Sequence, residues 1–297
     1  MAFNRQSFKT RTLTAAIFVV IMLAGLLWNH WSFFILFSII HFGCWMEYQK
    51  LVALIDKNYQ EISPFHKYGV MIAGWCTMLY FTNDAYYIFG LRLHELGWWL
   101  GLIFIFVLPI IELLFARQIH LKNIAHSAFG LIYISLSLGL MLDLRSMWFD
   151  YIPGKDNWRD DGFVIPILII ASLWINDTMA YIIGSLIGKN PLSKISPKKT
   201  WEGTIGGIIL STGLLGLYGY YRGEWRSEIY PVNILMIALI ASITGTFGDL
   251  LESKLKRMAG VKDSGHIMPG HGGFLDRFDS LLVAVPFVWL YVYIFMK

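Results

Sequence analysis

The sequence predicts an all-α, polytopic integral membrane protein with about nine transmembrane helices. Of its 297 residues, 56% are hydrophobic and only 15% are charged. A soluble globular domain has roughly 45–50% apolar and about 25% charged residues, so this chain has too few charges to cover a water-facing surface. Twelve Trp residues and a mean hydropathy of +0.56 also exclude a disordered chain.

Nine apolar segments approach the length of about 20 residues that is needed to span the hydrocarbon core. They are Leu13–Trp28, Trp31–Trp45, Tyr68–Phe81, Trp98–Phe115, Ile124–Leu142, Phe163–Ile187, Thr204–Tyr221, Ile234–Leu250 and Leu281–Met296. We predict a single membrane domain over residues 1–297, in which residues 1–160 form N-terminal helices. Residues 161–297 form a C-terminal half that carries the candidate site.

The distribution of Lys and Arg predicts a cytoplasmic N-terminus. With that orientation, 17 of the 24 basic residues fall on the cytoplasmic side and 7 on the other. Two cytoplasmic loops, 188–203 and 251–280, together carry nine of them. We therefore expect the candidate site in cytoplasm-facing loops and helix ends, although a basic loop can also serve only to fix topology.

The helix that precedes loop 251–280 carries a row of polar side chains. If Ile234–Leu250 continues as a helix into the cytoplasm, then Asp249, Ser253 and Lys256 stand at i, i+4 and i+7 and share one face. A carboxylate there can hold Mg²⁺, which prefers one or two carboxylates together with substrate phosphate oxygens. The spacing alone also fits a plain helix end whose lysine reaches the membrane interface.

A second carboxylate, Asp276, follows the glycine-rich stretch 269–273. If the chain returns to the membrane there, Asp276 comes back beside Asp249 and the two carboxylates form a metal site with open positions. Such a site suits phosphoryl-type transfer, where catalysis is mainly positioning and neutralisation of charge. His271, between glycines, is a candidate for binding phosphate or for acting as an acid.

Two further parts of the sequence carry candidate charged residues. Lys198 and Lys199 precede a span and suit a triphosphate or a lipid phosphate, or alternatively anchor the loop to anionic headgroups. Asp177 falls in the middle of a span, where a carboxylate is energetically expensive and indicates function, so we expect it to line a polar cavity. Glu112 lies near a span end and can as easily form a structural pair, so we do not include it among the candidates.

The spacing of these residues resembles the C-terminal signature of the phosphatidate cytidylyltransferases, also called CDP-diacylglycerol synthases. The matching positions are Ser253-x-Leu255-Lys256-Arg257, Lys262-Asp263 and Pro269-x-His271-Gly272-Gly273-x-x-Asp276-Arg277-x-Asp279. Asn176-Asp177 and the run 196–203 resemble further blocks of the family, so the likeness covers roughly residues 172–279. Met268 stands where the family usually has Leu, Ile or Phe, which is a conservative apolar change.

The resemblance implies transfer of the cytidylyl group of CTP to phosphatidic acid, giving CDP-diacylglycerol and pyrophosphate for phospholipid synthesis. It implies Mg²⁺ held by Asp249 and Asp276, with an added monovalent cation such as K⁺. The expected catalytic residues are Asp249, Ser253, Lys256 and Asp276, and the expected substrate-binding residues are Asp177, Lys198, Lys199, Arg257, His271 and Arg277. A homodimer in the bacterial plasma (inner) membrane is implied, with no nucleic-acid partner.

Two alternative functions stay open at this point. A CTP-dependent polyprenol or dolichol-type lipid kinase would share part of the nucleotide site. A secondary transporter would use Asp177 and Glu112 as ion or proton sites, but such folds usually show inverted repeats, and the sequence shows no internal repeat.

Overall fold

The computed structural model describes residues 5–115, 120–147, 149–152, 157–160, 162–222, 230–265 and 272–296. Within these ranges the α-helices are α1 (Arg5–Leu27), α2 (His30–Ile55), α3 (Pro64–Tyr80), α4 (Leu93–Phe115), α5 (Leu121–Gly130), α6 (Ser137–Ser146), α7 (Val164–Ile187), α8 (Trp201–Arg222), α9 (Pro231–Met258) and α10 (Leu275–Phe295). A 3₁₀-helix spans Lys57–Glu61, and a π-helical segment, Leu131–Leu136, joins α5 to α6.

Two small antiparallel hairpins are the strands of the described chain. The first pairs β1 (Tyr87–Ile88) with β2 (Leu91–Arg92), and the second pairs β3 (Phe149–Ile152) with β4 (Asn157–Asp160). In their registers Tyr87 faces Arg92 and Phe149 faces Asp160. Both hairpins lie between apolar helices, so they add to the predicted helical architecture without changing it.

Five described helical segments are long and apolar enough to cross a membrane. They are Leu93–Leu114, Leu121–Ser146, Val164–Ile187, Pro231–Met258 and Leu275–Phe295. Each overlaps a predicted span, so the prediction of a polytopic, helical integral membrane protein is confirmed. The total of nine spans and the cytoplasmic N-terminus stay predictions. The other four predicted spans fall in α1, α2, α3 and α8, which have short apolar stretches or more glycine and polar residues.

Local capping explains where several helices begin and end. Asn29 separates α1 from α2: its Oδ1 accepts a hydrogen bond from Ser32 N at 2.8 Å, and its own N–H donates to Ser32 Oγ at 3.1 Å. Ser63 caps α3 by accepting from His66 N at 3.1 Å. At the end of α9, Gly260 has φ of 71°, a left-handed conformation that glycine adopts without a steric cost.

The described chain divides into two compact units. The first unit consists of Met1–Asp143 and Leu255–Phe278, and the second of Leu144–Lys254 and Asp279–Lys297. That the chain acts as one membrane domain stays a prediction. In the first unit, Ser135 of the π-helical segment accepts a hydrogen bond from Trp45 Nε1 at 2.8 Å and lies 3.0 Å from His41 Nε2. These buried bonds join α2 to the segment between α5 and α6.

In the second unit, a chain of serine hydroxyls joins α7, α8 and α9. Ser242 Oγ donates to Ser211 Oγ at 3.1 Å, and Ser211 Oγ donates to the carbonyl oxygen of Ser172 at 2.9 Å. All three residues are buried. Interhelical hydrogen bonds between small residues are typical of helix packing in membranes, and here they bring together the three helices that carry the candidate site.

Candidate active site

The packing of α7 against α8 depends on glycines of α8. A Cβ on Gly203 would lie 2.6 Å from the carbonyl oxygen of Ala180 and 2.9 Å from Gly184 Cα. A Cβ on Gly207 would lie 2.7 Å from the carbonyl oxygen of Asn176. Since no side chain separates the two backbones, the first two turns of α8 lie directly against α7, with Gly203 beside Ala180 and Gly207 beside Asn176.

The loop between α7 and α8 is held closed by Glu202, in the first turn of α8. Its carboxylate accepts hydrogen bonds from Lys189 N at 3.2 Å, from Asn190 N at 3.3 Å and from Asn190 Nδ2 at 2.7 Å. Leu192 N donates to the carbonyl oxygen of Lys199 at 2.7 Å, which pairs the two sides of the loop. Hydrogen bonds within the loop therefore hold the backbone that carries its lysines, and the two ends of the loop continue into α7 and α8.

Hydrogen bonding lowers the pKa of the Glu202 carboxyl below its ordinary value. The largest contribution is the bond from its own backbone N–H, followed by those from Lys189 and Asn190, while desolvation acts in the opposite direction. Donors that favour the charged form lower a carboxyl pKa in this way. Glu202 is consequently an ionised clamp at neutral pH.

Asp249 lies near the C-terminal end of α9, and the helix continues unbroken to Met258. Its Oδ2 forms an ion pair with Lys199 Nζ, and its Oδ1 accepts a hydrogen bond from Ser253 Oγ at 3.2 Å. The side chains of Lys199 and Asp249 are 30% and 27% exposed, so both remain accessible to a ligand. The helix expected through Asp249, Ser253 and Lys256 is present, with these residues at i, i+4 and i+7.

A cavity of about 460 Å³ opens beside these groups, entirely within the second unit. Its lining residues are Asn176, Asp177, Ala180, Tyr181, Gly184, Ser185, Lys198, Lys199, Thr200, Thr204, Thr246 and Asp249. Two carboxylates and two ammonium groups, separated widely in sequence, thus face one volume. Such a cavity can take an anionic ligand together with a cation, because it offers charges of both signs.

Asp276 belongs to the first unit, at the start of α10. Its Oδ1 accepts a hydrogen bond from Lys256 Nζ at 2.6 Å, and the two side chains are only 10% and 15% exposed. Its Oδ2 accepts from Ser264 N and Gly273 N, both at 2.8 Å, and lies 2.9 Å from Ser264 Oγ. Oδ2 is thereby saturated with donors, and a cation at Asp276 would have to take the place of the lysine on Oδ1.

The oxygen atoms around the cavity suit a hard cation such as Mg²⁺. Among the described residues, no three His, Cys, Asp or Glu side chains form a set of metal ligands. Mg²⁺ needs no such set, because it binds one or two carboxylates and completes its shell with water and substrate phosphate. Around the cavity, the oxygens that could bind a metal are the carboxylate oxygens of Asp177 and Asp249 and the buried Oδ1 of Asn176. This Oδ1 has no hydrogen-bond partner in the described chain.

The structure places the other predicted residues as follows. Arg257 and Arg277 are exposed. His271 lies outside the described residues. Asp249 is in the second unit and Asp276 in the first, so their joint use as metal ligands stays a prediction. Glu112 pairs with His66, with Glu112 Oε2 3.1 Å from His66 Nδ1, beside a different, mainly apolar cavity of about 420 Å³ in the first unit.

Two residues that hold predicted site residues in place, one in each unit, were not predicted from the sequence. No role was predicted for Glu202, because a glutamate in the first turn of a helix is common on any protein surface. Glu47, on α2, is buried at 3% exposure and accepts hydrogen bonds from residues 264, 274 and 275 of the predicted signature. A single acidic residue at the end of an apolar run was the only signal for it.

A model of the cytidylyltransferase family matches residues 9–295. Three proteins named phosphatidate cytidylyltransferase are similar to this chain: 40% identical over 155 residues in Synechocystis sp., 45% over 129 residues in Staphylococcus haemolyticus and 39% over 150 residues in Bacillus subtilis. These alignments cover 52%, 43% and 50% of this chain and 52%, 48% and 55% of the respective relative, so the chain spans about half the length of the relatives it matches. The resemblance seen in the signature is confirmed, and the chain belongs to the cytidylyltransferase family.

Proposed function

We propose that this protein is a phosphatidate cytidylyltransferase, which transfers the cytidylyl group of CTP to phosphatidic acid and forms CDP-diacylglycerol and pyrophosphate. The observation that carries the proposal is the cavity in which Asp177, Lys198, Lys199 and Asp249 converge. The named activity of the three relatives supports the choice of substrates.

The reaction is an in-line displacement at phosphorus. An oxygen of the lipid phosphate forms a bond to the α-phosphorus of CTP, and the bond from that phosphorus to the bridging oxygen of the β-phosphate breaks. Pyrophosphate leaves with the electron pair. A phosphate monoester has a second pKa of about 6, so the attacking oxygen is already anionic near pH 7 and needs no strong general base.

The basic residues neutralise charge on the triphosphate. Lys199 is held toward Asp249 by their ion pair, and Lys198 precedes it on the loop that Glu202 closes. When the phosphates enter, we expect Lys199 to exchange its carboxylate partner for phosphate oxygen, since a lysine ammonium donates to either. Lys256 stands in the same relation to Asp276. Each lysine therefore holds a carboxylate in place until substrate arrives.

Asp249 and Asp276 are the proposed holders of Mg²⁺, which when bound would stabilise the charge on the attacking and leaving oxygens. Ser253 donates to Asp249 and so orients the carboxylate. A monovalent cation such as K⁺ is proposed to bind, in addition to Mg²⁺, in the same oxygen-rich region. Arg257, His271 and Arg277 are proposed to bind substrate phosphates from the cytoplasmic side.

The membrane setting suits the two substrates. The cavity is lined by α7 and α9, both of which are apolar enough to cross a membrane, and by the basic loop between α7 and α8. Acyl chains can stay in the bilayer while the headgroup meets a water-soluble nucleotide. We further propose nine spans with a cytoplasmic N-terminus, a homodimer, and a location in the bacterial inner membrane.

A radiochemical assay tests the proposal. Membranes carrying the protein are incubated with phosphatidic acid, Mg²⁺ and CTP labelled in the base, and the lipids are separated by thin-layer chromatography. Label in the lipid fraction that disappears with chelator is the expected result. A lipid kinase would transfer label only from the γ-phosphate, so lipid labelled from γ-phosphate and not from the base would overturn the proposal.

A further inference from the structure

Glu47 binds both described parts of the signature segment, residues 262–265 and 272–276. Its Oε2 accepts hydrogen bonds from Ser264 Oγ and Leu275 N, both at 2.8 Å, and its Oε1 accepts one from Phe274 N at 3.0 Å. The carboxylate is buried, and all four residues belong to the first unit. One side chain on α2 therefore holds residues that lie more than 200 positions away in the sequence.

The surroundings of Glu47 are shaped for this contact. A Cβ on either Gly265 or Gly273 would overlap the oxygens of the Glu47 carboxylate. One helical turn earlier on α2, a Cβ on Gly43 would overlap the ring of Phe274. The glycines of the signature thus admit the carboxylate to the backbone, and Gly43 admits the aromatic ring. The face of α2 formed by Gly43 and Glu47 is complementary to the segment that it binds.

The residues held by Glu47 also position Asp276. Ser264 Oγ lies between the two carboxylates, 2.8 Å from Glu47 Oε2 and 2.9 Å from Asp276 Oδ2, and its single proton is donated to one of them at a time. Gly273, directly before Phe274, donates its N–H to Asp276 Oδ2. Glu47 also faces the first N–H groups of α10, where a negative charge is favourable. Loss of these acceptors would leave buried backbone donors unpaired, which a folded protein avoids by local rearrangement.

We propose that Glu47 is a positioning residue: by holding Ser264 and the start of α10, it keeps Asp276 Oδ2 bonded inward, so that Oδ1 alone is presented to a cation or substrate. The inference rests on the proposed function for the role of Asp276. It requires no contact between Glu47 and substrate. Partners that orient a metal-binding side chain typically affect metal affinity or activity by about 10–100-fold when they are replaced.

The test compares Glu47→Gln with Glu61→Gln, a matched change at an exposed glutamate of the same unit. Glutamine keeps the shape of the side chain but places an N–H₂ group against backbone N–H donors. We expect Glu47→Gln to raise the Mg²⁺ concentration for half-maximal turnover about 10–100-fold, with a smaller change in the KM for phosphatidic acid. A purely structural role would instead lower the amount of active protein without changing its Mg²⁺ dependence.

A second measurement needs neither metal nor activity. Lys262 is exposed, two residues before Ser264, so trypsin cleavage after it reports how firmly the segment is held. We expect faster cleavage there in Glu47→Gln than in wild type or Glu61→Gln. If wild type makes no CTP-dependent lipid product, the proposed function fails, whereas this comparison still tests the hold of Glu47 on the segment.

The outcomes are decisive in either direction. Wild-type Mg²⁺ dependence of the active Glu47→Gln protein would overturn the inference, whatever the cleavage rate, and wild-type cleavage would show that Glu47 does not hold the segment. If Glu47→Gln does not fold, Ser264→Ala takes its place, because it removes only the hydroxyl link and leaves the backbone bonds of Glu47 in position. A raised Mg²⁺ requirement in Ser264→Ala then supports the positioning role, and an unchanged one refutes it.

Discussion

Replacement of Asp249 by Asn removes a negative charge from the rim of the cavity and keeps the size of the side chain. The lost ion pair with Lys199 is partly exposed, at 30% and 27% for the two side chains. Exposed pairs contribute only about 0.2–1 kcal/mol to stability. Loss of one group that stabilises charge in the transition state costs about 10²–10³-fold in turnover, or roughly 3–4 kcal/mol. We therefore expect a large effect on catalysis and a small one on folding.

The assay uses purified protein with phosphatidic acid, base-labelled CTP and saturating Mg²⁺, and thermal unfolding is measured on the same preparation. Asp84→Asn is the matched control, because Asp84 is 64% exposed and pairs with Arg92 at 3.4 Å. It makes the same chemical change and loses the same kind of surface pair, far along the sequence from the signature. We expect it to keep wild-type turnover.

Two results would refute the reasoning about Asp249. Near-normal turnover of Asp249→Asn at saturating Mg²⁺ would mean that this carboxylate does not hold the metal. A fall in turnover that only matches the loss of folded protein would mean that the ion pair with Lys199 acts on stability alone.

Three further predictions concern the supports of the site. Asp276→Asn should abolish turnover. Unlike Asp249→Asn, it should also lower the free energy of unfolding by about 3 kcal/mol, because it breaks a largely buried ion pair with Lys256. Chemical denaturation measures the change in the free energy of unfolding. Gly203→Ala should cost about 1–3 kcal/mol and reduce turnover, because the methyl group would force α7 from α8; thermal unfolding and the lipid assay measure both effects. Glu202 has a lowered pKa, so its stabilisation is present above its ordinary pKa of 4.5 and is lost as pH falls through the lower folded value. Melting temperatures of wild type should therefore fall toward those of Glu202→Gln below about pH 4.5.

The prediction for Gly203 has a control within the chain. Gly213 is on the same helix as Gly203, but a methyl group added to Gly213 would meet no atom within 4 Å beyond its own stretch of helix, so Gly213→Ala should leave turnover unchanged and should not lower stability. Equal effects at Gly203 and Gly213 would contradict the close approach of α7 and α8. A stable Asp276→Asn would show that its four hydrogen bonds are dispensable, and parallel pH profiles for wild type and Glu202→Gln would rule out the ionised clamp.

Much of the architecture follows from local sequence, since the requirement of a bilayer is itself local. A run of apolar residues must be helical to satisfy its backbone in lipid, so helices α4, α7, α9 and α10 were predictable without tertiary information. The row Asp249, Ser253 and Lys256 was predictable for the same reason, because helical periodicity places these residues on one face. In α2 and α8, aromatic, polar and glycine residues weaken the same signal.

The partners of the charged residues were not predictable in this way. That Lys199 pairs with Asp249 and that Lys256 pairs with Asp276 depends on how helices pack, and the pairs span 50 and 20 residues. Glu47 is the extreme case, because its acceptor role is set by donors 217 to 228 residues away. No periodicity links such positions.

By itself, the sequence determined that this is a helical membrane protein of the cytidylyltransferase type, because hydropathy, helical spacing and a signature are properties of neighbouring residues. Only the tertiary structure decided which charges share a cavity and which carboxylates are held by backbone donors. The physical reason is that close approach between backbones, as at Gly203 and Gly273, depends on atoms from distant segments meeting in space. The few charged residues of the chain acquire their chemical roles where the fold places them beside their partners.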